Sequence, residues 1–210
     1  MHSGFHIGRI FGINIRIDRS WLLVFFLVVW NLAMVLGRYY PDWSTGLRWS
    51  TALLAAILFF ASVLGHELAH SLVARAQGIS IHGITLFLFG GVSNMGGDPD
   101  SPRQEFVMAI VGPITSLVLG VVVIWLAAVS ASPLREIMAD PTGAIARLHA
   151  LSMLLMWLGS TNVLLGFFNL IPGFPLDGGR VLRAILWAAT DNLRRATRWA
   201  SWGGKASPGS

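Results

Sequence analysis

Residues 51–74 read TALLAAILFFASVLGHELAHSLVA, twenty-four positions without a lysine or an arginine. As a helix this run would be about 36 Å long, enough to cross a hydrocarbon core of about 30 Å. Toward its end it carries His66, Glu67 and His70, three ionisable side chains among residues that leave water. Such groups are expensive within a bilayer and call for a partner there. The histidines are four positions apart and a helical turn takes about 3.6 residues, so both imidazoles leave one face and can share a cation.

The rest of the chain agrees with a membrane setting. Of its 210 residues 54% are hydrophobic and 12% charged, about half the charged share of a soluble domain. Three further runs are long or apolar enough to span: residues 21–36, 106–129 and 150–171. Between the second and third spans, Ile79–Met95 is β-branched and aromatic with glycines near its ends, which predicts a strand or hairpin. The expected fold is therefore an all-α polytopic membrane protein with at least four spans and a small β loop. Residues 1–202 form its core, with a broken segment at 172–189 where PGFPLDGG interrupts any regular helix. Residues 203–210 read as a flexible tail.

Cysteine is absent, which excludes disulfides, thiolate nucleophiles and cysteine-based metal sites. A metal here must be held by histidine and carboxylate. The net charge of +5 fits basic residues flanking spans better than a nucleic-acid surface, and no nucleic-acid partner is expected. With four spans, eleven lysines and arginines fall on the side of both termini and residues 75–105. Four (Arg38, Arg48, Arg135 and Arg147) fall on the other. The bias places both termini in the cytoplasm of a cell-membrane protein, with the motif toward that side.

His66-Glu67-x-x-His70 is the H-E-x-x-H pattern of hydrolytic zinc sites. Zn2+ acidifies water and polarises a carbonyl, and the glutamate beside the first ligand is placed to act as general base. Two histidines leave such a site one protein ligand short. Apart from Glu67, Asp177 is the one carboxylate set in membrane-grade sequence, where proline and glycine open the backbone into a polar pocket. It is the expected third ligand; a helix N-cap is the other role open to it. Asn169, at the end of an apolar helix, could line the site and bind substrate, or cap freed backbone groups. Gly112–Pro113 reads as close helix packing with a kink. His82 and His149 have no partner at ligand spacing and read as structural.

Two stretches together, HELAH at 66–70 and Asn169-Leu-Ile-Pro172-Gly-Phe-Pro-Leu176-Asp177-Gly178, resemble the paired signatures of the site-2 proteases, the intramembrane zinc metalloproteases of family M50. Every fixed position of the second signature, N-x-x-P-x-x-x-L-D-G, is matched, and Gly112–Ser116 (GPITS) falls on the third span as in that family. The resemblance implies zinc held by His66, His70 and Asp177, Glu67 as base and Asn169 at the substrate. It also implies cleavage within or near spans of single-pass membrane proteins, such as an anti-sigma factor or a membrane-tethered transcription factor, in regulated intramembrane proteolysis. No PDZ-sized insertion is present, which points to the branch that often adds C-terminal CBS domains, so the chain is expected to be a truncated piece that stops short of further spans.

Substrate would have to unwind, and the strand near Ile81–Phe89 offers an edge to receive it, a role that prolines along Thr85–Phe89 would test. Two other readings compete. A zinc protease of the prenyl-protein processing type would need a downstream glutamate, and only Glu105 and Glu136 follow, both at span flanks. A non-proteolytic metal transporter or sensor would need His66 and His70 but not Glu67.

Overall fold

The computed structural model describes residues 4–88, 90–130 and 149–202. The expected tail at 203–210, Phe89, and Arg135, Glu136 and Arg147 lie outside the described residues.

Four long helices run where the apolar runs predict them: α1 (Arg19–Tyr39), α2 (Thr45–Ala76), α3 (Pro102–Ser130) and α4 (Ala150–Asn169). All four are long and apolar enough to cross a membrane. Their ends extend past the apolar cores because polar caps lie just outside. Asp18 accepts from the Ser20 N–H at 2.9 Å to start α1, and Ser44 Oγ accepts from the Leu47 N–H at 3.2 Å to start α2. The Ser20 hydroxyl and N–H hold the Asp18 carboxyl below the usual carboxylate range. Phe26, Trp30, Trp125 and Leu164 stand more than half exposed on these helices, a surface suited to lipid and not to water.

The β structure is larger than the sequence predicts. Strands β1 (Gly4–Ile10) and β2 (Ile13–Asp18) precede α1, while β3 (Ile81–Phe87) and β4 (Gly90–Met95) follow α2. They form one sheet in the order β1-β2-β3-β4, with the β2/β3 pair parallel through Ile15↔Ile84, Arg16↔Thr85 and Ile17↔Leu86. The first hairpin turns at Phe11 and Gly12, both with positive φ, as a two-residue turn requires. Ile13, Ile15, Ile84 and Leu86 are buried with Val63 of α2, which seats the sheet beside the helix that carries both histidines.

This topology corrects one expectation. β3 is paired on both sides and cannot accept another strand; the sheet's edges are β1 and β4. Between α4 and the next helix the irregular backbone covers residues 170–176. From Asp177 a regular helix resumes, α5 (Asp177–Thr190), followed by α6 (Leu193–Trp202), which packs on α5.

Candidate metal centre

Helix α2 places His66 and His70 one turn apart, and both are buried. Their rings are aimed by α3. The His70 Nδ1–H donates to the Met108 carbonyl, and His66 Nδ1 lies 3.0 Å from Ser116 Oγ. Met108, Gly112 and Ser116 share one face of α3 at intervals of four, matching the interval of the histidines. Gly112 stands level with the ring nitrogens, where a Cβ would overlap Nε2 of both His66 and His70. Only glycine leaves that space open.

Asp177, the first residue of α5, turns its carboxylate into the same space. Its Oδ2 lies 3.0 Å from His66 Nε2 and 3.1 Å from His70 Nε2, and the two Nε2 atoms are 3.1 Å apart. The N-cap of α5 is Leu176, with no side-chain cap bond, so Asp177 does not take the capping role. His66, His70 and Asp177 each offer one ligand atom, all within 4.8 Å of one another.

The donor set itself tests whether a metal fits. A carbonyl can only accept, so His70 Nδ1 carries the hydrogen, and in the neutral ring Nε2 is then a lone-pair atom able to bind a cation. The carboxylate Oδ2 is an acceptor as well. With the ring neutral, two lone-pair atoms 3.1 Å apart are held together by a shared cation. Separations of this size are the edges expected around an ion whose bonds to nitrogen and oxygen are about 2 Å. The residues fit a divalent metal, and Met108 and Ser116 supply the outer bonds that usually fix the ring tautomers.

Glu67 and Asn169 open onto the same space, a cavity of about 310 Å³ that also touches Gly91, Ser93, Leu176 and Arg180. Strand β4 crosses close over Glu67. A Cβ at Gly91 would meet its Cγ and Cδ. Asn169 donates Nδ2–H to the Leu165 carbonyl at 2.9 Å, so it borders the cavity while tying down the end of its own helix.

Glu105 does not reach this space. It is wholly buried and accepts from Nε of Arg183 at 2.6 Å and from Nη2 of the same residue. His149 caps α4 without a side-chain bond, and His82 accepts from Asn14 only through its backbone carbonyl. Neither joins the cluster. Sequence reasoning missed the parts played by Met108, Ser116, Gly91 and Arg180, and read Gly112 as packing alone. The interval-of-four pattern in MAIVGPITS (108–116) was the available signal.

Comparison with known proteins bears on this geometry. The profile of Peptidase family M50 matches residues 54–203. The chain is 41% identical over 203 residues to a provisionally named zinc metalloprotease of Synechocystis sp., covering 96% of this chain and 49% of that protein. It is 38% identical over 209 residues to Rip3 of Mycobacterium tuberculosis, also provisionally named a zinc metalloprotease, covering 98% and 49%. The chain thus spans about half the length of the curated relatives it matches. Among solved structures, the site-2 protease from Methanocaldococcus jannaschii superposes with a TM-score of 0.63 at 31% identity, covering 94% of this chain and 78% of that one.

Proposed function

The chain belongs to peptidase family M50, and from that premise we propose that it is an intramembrane zinc endopeptidase. Its substrates would be single-pass membrane proteins, cut in or beside their spans in regulated intramembrane proteolysis; an anti-sigma factor or a membrane-tethered transcription factor fits that description. One observation carries the reading: two imidazole nitrogens and a carboxylate oxygen converge in a buried cleft that also contains Glu67.

His66, His70 and Asp177 would hold the zinc. When bound, zinc supplies Lewis acidity toward water and a peptide carbonyl. Glu67 takes a proton from the attacking water on a carboxylate oxygen and passes it to the leaving nitrogen. Asn169 keeps an amide at the wall of the cleft, free to hold a substrate carbonyl with the N–H that Leu165 does not use. Gly91 keeps the strand above Glu67 close without displacing its carboxylate.

A helical peptide bond is shielded by its own hydrogen bonds, so the substrate must be extended before it is cut. The edge strand β4, which lines the cleft from Gly90 to Met95, would hold it by strand addition. The charge bias of the loops supports cytoplasmic termini and a cleft that takes water from the cytoplasmic side.

The deciding experiment compares wild type with Glu67→Gln, each purified with zinc, on a single-span substrate. Metal content should be equal, and cleavage should fall by several orders of magnitude in the variant. A variant that still cuts at the wild-type rate would sink the proposal. Metal transport or sensing would survive the substitution, which separates that alternative.

A further inference from the structure

A second cavity, about 590 Å³ and open on one side, adjoins the cleft. Its walls are residues 93–99, from the end of β4 onward, together with Arg180 and Arg183 of α5. Ser93, Met95 and Arg180 border both spaces, so Arg180 stands on the partition between them. It lies three residues after Asp177, on the same face of α5.

The two arginines are in opposite states. Arg183 spends Nε and Nη2 on Glu105. Arg180 is half-buried and makes no hydrogen bond or ion pair with any described residue, although its charge acts on Glu67 within the cleft they share. Asp98, an exposed residue that lines the same cavity, does not pair with it. A guanidinium carries five N–H donors in a rigid fork whose best complement is a carboxylate bound by two of them. In the open cavity water can hydrate that fork, and a carboxylate arriving along β4 can take the water's place with two hydrogen bonds.

We propose that Arg180 is a specificity-determining residue: it binds the carboxylate of an acidic side chain in the substrate segment that leaves the cleft along β4. The inference rests on the proteolytic reading above. Along β4, Gly91 lies over Glu67, Ser93 is two residues on and Met95 four. At about 3.3 Å per residue, the carboxylate sits roughly two to four residues from the bond that is cut.

The experiment moves one Asp or Glu, against Gln, through the flanks of a single-span substrate and measures kcat/KM. Wild type should prefer the acid by about tenfold at a position in that window. The acid-to-amide ratio should drop to about one in Arg180→Gln, stay partly above one in Arg180→Lys, and give way to a preference for Lys in Arg180→Glu. Zinc content should be equal throughout. A preference that persists in Arg180→Gln overturns the proposal, as does an equal loss on acidic and neutral substrates. Should the zinc-loaded protein cut nothing, the proteolytic reading fails by itself. Binding of the acidic peptide to Glu67→Gln protein, with and without Arg180→Gln, then still decides the subsite: equal affinity rejects it and weaker affinity supports it.

Discussion

Glu105 of α3 and Arg183 of α5 form an ion pair in which one carboxylate oxygen receives two guanidinium donors, with the glutamate wholly removed from solvent. The pair joins the helix that begins at Asp177 to the helix that aims both histidines. Its location matters more than its strength, since burying two charges costs about as much as their attraction returns.

Removing one member should therefore hurt more than removing both. Glu105→Ala leaves Arg183 without its partner and should lower stability by about 3 kcal/mol. Replacing both residues with methionine should recover most of that loss. Denaturation in detergent micelles reads both effects, and a double variant as unstable as the single would refute the account.

At Gly112 the fold and the site make opposite demands. Alanine favours a helix over glycine by about 1 kcal/mol, yet its Cβ would overlap the ring nitrogens of His66 and His70. Gly112→Ala should leave a helical, membrane-inserted protein that purifies without zinc. Elemental analysis beside circular dichroism tests this; normal zinc content would show that the rings can yield.

Ser116 does not reach the three converging atoms but orients one of them through His66 Nδ1. Loss of such an outer bond typically weakens metal affinity about 10–100-fold. Ser116→Ala should show that weakening in competition with a chelator, and zinc added in excess should restore activity. Affinity equal to wild type would mean that the ring is held by packing alone.

Strand addition to β4 predicts an alternation. In an antiparallel edge strand successive N–H groups point in turn toward the partner and away from it. Proline placed at Val92 and at Ser93 should thus act differently. One replacement removes a bond to β3 and lowers stability, while the other removes an outward donor and raises KM. Equal effects on KM from both would argue against an added strand.

The four long helices were legible because three of their apolar runs are long enough to cross a bilayer and the fourth, residues 21–36, is short but strongly apolar. The convergence of His66, His70 and Asp177 was legible because polar residues are rare in such sequence. The N-terminal hairpin was not read, although Ile13, Ile15 and Ile17 alternate as a strand should. The nearby Arg9, Arg16 and Arg19 matched a basic flank equally well, and β2 finds its parallel partner about seventy positions away, at Ile84. Gly112 and Gly91 were opaque for a different reason: a missing side chain shows its purpose only when the neighbour that needs the room is known.

The carboxylate that completes the metal cluster lies 107 residues beyond His70 and 111 beyond His66. At a synthesis rate of about 5–20 residues per second, it leaves the ribosome some five seconds or more after the second histidine. Throughout that interval α1, α2 and α3 can enter the bilayer with the three-residue cluster incomplete. Under the proteolytic reading, so late a third ligand would leave the nascent chain unable to cut its own helices during insertion.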